Sequence, residues 1–151
     1  IVSHTGPDAP ARQQLTILEE EGVSVEAWVW THAQNGTSEM HVQAAQKGAW
    51  ISLDGLAWVA PTNGDSTALH KYVDFIIELK NAGFLNRTLI SHDAGWYSHG
   101  ESKGGIYKPH TLIFNLLLPE LEKRGFTKED FDQLLLENPA NAYAPSIRQL
   151  H

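Results

Sequence analysis

The chain has 151 residues, 42% hydrophobic and 19% charged, with a formal net charge of −7 and no cysteine. One ordinary domain length and that apolar fraction predict a folded unit, and the acidic balance without a Lys/Arg cluster excludes nucleic acid and anionic membrane as partners. The longest apolar run, Leu116-Leu117-Leu118, is far too short to span a bilayer, and without thiols only His and carboxylates remain as metal ligands.

The chain opens inside a strand, Ile1-Val2-Ser3-His4, with no initiator Met and no cap before it. Upstream sequence is therefore expected, and a leader could lie within it, so the compartment stays open between the cytoplasm and export. Gly6 to Pro10 form a turn, with Asp8 expected to cap a helix that carries Leu15 and Leu18 and stops at Gly22. A second strand is expected over Val25 to Thr31, ending on His32. Trp28 and Trp30, two apart, share one of its faces and read as core. Thr37 or Ser38 caps a short helix to Lys47, and a third strand, Ala49 to Leu53, ends at Asp54-Gly55. A loop from Leu56 to Asp65 leads to the clearest helix, where Leu69, Tyr72, Val73, Ile76 and Leu79 recur at the helical period.

The fourth strand, Thr88 to Ser91, ends on His92-Asp93. Ala94 to Lys108 show no regular pattern and contain four glycines, which marks a functional loop or a disordered one. A helix over about Thr111 to Arg124 is expected to bend near Pro119. Thr127 to Asp130 resemble a capping box, and Asn138-Pro139 start a last short turn. Four strands, each followed by a helix, predict an α/β fold with a parallel sheet, residues 1–151 forming a single unit. Four βα units are half of the eight that close a TIM barrel. An open four-stranded sheet is the alternative, at the cost of two bare edges and an apolar inner face.

The chemistry concentrates at the strand ends. His4, His32, Asp54 and Asp93 follow one another at intervals of about one βα unit, so all four sit at equivalent C-terminal tips, where such folds gather side chains from different strands. Two imidazoles and a carboxylate suffice for Zn²⁺ or a similar divalent ion with room for water, and a second carboxylate can take a proton. Metal-assisted hydrolysis of a small-molecule substrate is the reaction class implied. A lone His at a strand end is more often structural, and Asp54 serves equally well as a loop cap or a supporting group. Alternation turns His92 away from the inner face. His41 and His70 read as exposed or half-buried bystanders on helices, His99 and His110 as solvated loop residues, and His151 as a terminal one.

His4-Thr5, Thr31-His32, Ile51-Ser52-Leu53-Asp54 and Ser91-His92-Asp93, together with Phe114-Asn115, Leu118-Pro119-Glu120-Leu121, Arg124-Gly125 and Glu137-Asn138-Pro139-Ala140, resemble the C-terminal half of a phosphotriesterase-related amidohydrolase. The resemblance covers essentially the whole chain. It implies strands five to eight of a (β/α)8 barrel, with His4 and His32 as metal ligands and Asp93 as both ligand and catalytic base. Asp54 would support them, and Trp96, Tyr97 and Tyr107 on the long loop would line the substrate pocket. The metal implied is divalent, Zn before others, one or two per complete site. That family's His-x-His pair and bridging Lys have no counterpart among these residues. Its acidic residue and His that relay the proton correspond here to Asn35 and Gly55, which favours lactones and other esters over phosphotriesters. The alternative reading is a catalytically incomplete half-barrel, pairing with a missing N-terminal half or with another copy as a homo-oligomer.

Overall fold

The structure, a computed structural model, describes residues 1–145; His151 lies outside them. Four strands, β1 (Val2–His4), β2 (Val29–Thr31), β3 (Trp50–Leu53) and β4 (Thr88–Ile90), form one parallel sheet in the order β1-β2-β3-β4. Between them lie α1 (Asp8–Glu20), α2 (Ser38–Gln46), the short α3 (Leu56–Val59) and the long α4 (Thr67–Asn81). Sequential order and parallel pairing are the βαβ succession expected of an alternating chain. No helix among the described residues is long and apolar enough to cross a membrane.

The pleat divides the sheet. Trp28, Trp30, Ile51 and Leu53 face the helices and are buried against Ala11, Leu15, Met40, Ala44, Tyr72 and Ile76. The two tryptophan rings lie nearly parallel, 6.3 Å apart, and their N–H groups donate to Ser3 Oγ (3.0 Å) and the Gly6 carbonyl (2.7 Å). Buried indoles thus keep partners for their polar atoms. On the opposite, inner face a small cluster of Val29, Trp50 and Leu89 packs against Ala142.

Several local expectations change. β2 spans only Val29–Thr31, and Val29 N donates to the Ile1 carbonyl (2.8 Å). Val25–Ala27, expected as strand, form a 3₁₀ turn in which Ala27 N donates to the Ser24 carbonyl and Trp28 N to the Val25 carbonyl (both 3.0 Å). Asp8 does not cap α1. Its carboxylate accepts from Thr37 N (2.9 Å) and Thr37 Oγ1 (2.8 Å), and Thr37 in turn caps α2, so two helix starts are tied together. Pro119 causes no simple bend; a π-turn over Ile113–Leu117 precedes α5 (Leu118–Lys123), whose first turn accommodates the proline. The capping box at Thr127 forms with Asp130 at the start of α6 (Lys128–Asp132). A second π-turn leads into α7 (Asn138–Tyr143). Asn138 is fully buried there and donates to the Leu85 and Thr88 carbonyls (2.7 and 2.6 Å), fastening the C-terminal helix beneath β4.

Candidate metal centre at the strand tips

The tips of all four strands open on one side of the sheet. Register sets His4 beside Thr31, with both side chains on the inner face. His32 follows Thr31 and would point to the helices if the strand stayed extended. Its backbone instead turns left-handed (φ 56°), which brings the ring round toward His4. The two imidazoles meet edge to face with centroids 4.5 Å apart. Asp93 also has a left-handed backbone (φ 48°). A non-glycine residue held there costs on the order of 1 kcal/mol, and such positions cluster at functional sites.

Asp54 organises His32. Its carboxylate accepts from the His32 backbone N–H (3.1 and 3.0 Å to the two oxygens) and from Ser52 Oγ (3.1 Å), and lies 2.8 Å from His32 Nδ1. With Nδ1 engaged, Nε2 is the nitrogen free to ligate, the arrangement by which a carboxylate fixes tautomer and ring orientation of a ligating histidine. His4, Thr31, His32, Asp54, Ser91 and Asp93 border one cavity of about 380 Å³. An adjoining one of about 480 Å³ shares His4, His32 and Asp93 and adds Gln34, Asn35, Gly55, Trp58 and Val59. The four tip residues therefore share one cleft. The histidine pair is in contact, but no three His, Asp or Glu side chains among the described residues close around a single ion position. The donor set fits a divalent cation in kind, and Asp93 lines the same cleft.

Trp96, Tyr97 and Tyr107 are not brought into the cleft. They are 66%, 76% and 66% exposed, and the Tyr97 ring lies over Gly104, where a Cβ would meet it at 2.4 Å. The long loop thus folds on itself, with Ser98 N donating to the Gly104 carbonyl (2.8 Å). The aromatic wall comes instead from Trp58 on α3, a segment read from sequence as loop. Its indole donates to Asp93.

Two histidines on the helix side are structural. His92 is buried and its Nε2 accepts from Ile113 N (3.1 Å); burial, then the nearby His110, lowers its pKa. His41 corrects the sequence reading: it is fully buried, between Trp30 and Phe75, rather than an exposed bystander. Its Nε2–H donates to the Ala33 carbonyl (2.6 Å), just past His32, while Nδ1 has no partner among the described residues. Burial lowers its pKa, so the neutral ring is favoured. The signal was present, since Met40, His41, Ala44 and Ala45 recur at helical spacing and are the buried residues of α2.

The positions of the expected proton relay hold Asn35 and Gly55. Gly55 has an ordinary φ of −94°, so its lack of a side chain concerns space: a Cβ there would lie 2.2 Å from Gln34 Nε2. Gln34 Oε1 accepts from Asp54 N (3.2 Å), so this amide takes up the space beside Gly55.

A parallel α/β sheet with His and Asp at its C-terminal tips defines a class of protein, and comparison specifies it. Residues 1–143 match the model of the phosphotriesterase family, and the chain belongs to that family. It is 25% identical over 146 residues to the phosphotriesterase homology protein of Escherichia coli, covering 95% of this chain and 47% of that protein. It is also 25% identical over 147 residues to the N-acetyltaurine hydrolase of Danio rerio, covering 92% of this chain and 42% of that one. Among solved structures, a lactonase from Listeria monocytogenes superimposes with a TM-score of 0.76 at 27% identity, over 95% of this chain and 44% of its own. A variant of organophosphorus hydrolase from Deinococcus radiodurans superimposes with a TM-score of 0.78 at 24% identity, over 95% and 45%. The chain spans about half the length of the curated relatives it matches.

Proposed function

We propose that these residues are the C-terminal half of a (β/α)8 barrel and carry part of a metal-dependent hydrolase site, acting on a lactone or other ester in preference to a phosphotriester. The observation that carries this is the contact of His4 with His32, the latter oriented by Asp54, in one cleft with Asp93. His4, His32 and Asp93 would hold a divalent ion, Zn²⁺ by donor type, which when bound supplies Lewis-acid activation of water and of the scissile carbonyl. The remaining work belongs to the chain. Asp54 keeps the His32 tautomer fixed, and Asp93 accepts the proton of the attacking water at its carboxylate. The absence of an acidic residue at Asn35 and of an imidazole at Gly55 leaves that proton to depart through solvent, and it supports esters over phosphotriesters. The lactonase neighbour supports the same substrate class.

A second reading is supported by the sheet's edges. β1 and β4 each have one neighbour, and Ile1, Val2 and Ile17 are exposed beside an apolar groove bordered by Ser3, Gln14, Leu18 and Trp28. On that reading this unit is catalytically incomplete alone and pairs with an N-terminal half or a second copy. The test is hydrolysis and metal content of the full-length protein that contains these residues. His32→Asn and Asp93→Asn are the suitable variants, since asparagine tolerates the left-handed backbone at both positions. Each should lower turnover by at least about 100-fold while the far-UV circular dichroism stays unchanged. Near-normal turnover with metal retained would refute the site. Native mass of residues 1–151 expressed alone separates the second reading: a lone monomer that is stably folded would exclude obligatory pairing.

A further inference from the structure

The strand-tip cleft contains a contact that the hydrolase reading does not require. Trp58 reaches from α3 across the mouth to the tip of β4, where its Nε1–H lies 3.0 Å from the Asp93 carbonyl and 3.0 Å from Asp93 Oδ2. Among the described residues the indole is the one hydrogen-bond donor to that carboxylate, and no Lys or Arg pairs with it. The ring is itself held. Lys108, at the end of the long loop, places Nζ 3.3 Å from the centroid of the indole and donates to the Ala57 carbonyl (3.3 Å). A cation over an indole face is the most favourable of such pairs, and here the ammonium has a second anchor one residue from the ring.

We infer that Trp58 is a positioning residue for Asp93, and that Lys108 locks it, so that seating of the loop after β4 and orientation of the carboxylate are one event. Asp93 needs such an anchor because its left-handed backbone is not fixed by strand pairing. An indole donates and never accepts, so it can aim the carboxylate but cannot carry a proton onward. Where an imidazole relay is blocked by Gln34 against Gly55, the cleft has a fixed donor instead. Trp58 is 59% exposed, so the wall it forms remains open to solvent on one side.

The inference rests on the hydrolase reading for the task it gives Asp93, but the contact is testable without turnover. In the full-length protein labelled with ¹⁵N-tryptophan, Trp58→Phe identifies the Trp58 indole resonance. Asp93→Asn should move that resonance upfield, further than those of Trp28, Trp30, Trp50 and Trp96. Lys108→Met should raise its hydrogen-exchange rate by about tenfold and leave the buried indoles unchanged. In turnover, Trp58→Phe should lower kcat by about tenfold with KM within about twofold, because ring and wall remain while the donor is lost. A Trp58 indole that exchanges as fast as Trp96 and ignores Asp93→Asn overturns the contact, and an unchanged kcat in Trp58→Phe overturns the role. The indole response in a protein that turns over no ester would count against the hydrolase reading alone.

Discussion

The helix-packed face of this sheet and its strand tips are built on opposite terms. Toward the helices, Trp28, Trp30, Ile51 and Leu53 are at most 1% exposed and every buried side-chain polar atom but His41 Nδ1 has a partner among the described residues. At the tips, His32 and Asp93 hold left-handed backbones and their side chains border one open cleft. The first region follows from burial alone and tolerates little change. The second is held in unfavourable conformations by a few directed hydrogen bonds, and stability is not what those bonds serve. Damage to one region should therefore leave the other's property largely intact.

The largest effect is expected on the helix side. Trp30→Ala removes a fully buried ring and the bond to the Gly6 carbonyl, and should cost about 3–5 kcal/mol, read as a lowered urea midpoint. A loss under about 1 kcal/mol would mean that this face is not the core. At the tips the ordering reverses. Asp54→Asn keeps the size of the side chain but weakens its hold on His32 Nδ1, and should lower divalent-metal affinity of the full-length protein by about 10–100-fold with little change in the midpoint. Unchanged affinity would reduce Asp54 to a loop cap.

The smallest effect at neutral pH joins the two regions through His41. Its folded pKa lies below the ordinary 6.5 because burial outweighs the hydrogen bond to the Ala33 carbonyl and the pull of Asp8 and Glu78, while Lys71 lowers it further. Below pH 6.5 the unfolded chain takes up a proton that the folded one refuses, so stability falls with decreasing pH until the folded pKa is reached. His41→Leu should make the loss of stability between about pH 7 and pH 5 shallower than in the native protein. An identical slope would show that His41 does not titrate on unfolding.

The architecture was readable because it rests on periodicity: alternating strand and helix patterns, the stripe Leu69 to Leu79, and polar residues at strand ends. The parallel sheet follows that reading, and the phosphotriesterase family follows the resemblance carried by the strand-tip and tail motifs. What was not readable depends on relations between elements. Asp8 was an apt cap by position, but Thr37 lies within its reach in space. Trp96, Tyr97 and Tyr107 occupy a loop that suits substrate contact, yet Gly104 gives Tyr97 a seat on the loop itself. Trp58 gave no local sign, since its meeting with Asp93 is set by how α3 packs beside β4.

The amide of Gln34 has a consequence for how this site can change over generations. Any side chain gained at Gly55 must displace it, and the Asp54 N–H then loses its acceptor. Substitutions at these two positions are thus coupled: a histidine at 55 requires the flexible Gln34 amide to turn aside, and a small residue at 34 clears that space for it. A directed-evolution library that varies both positions together samples the pair as the unit it is.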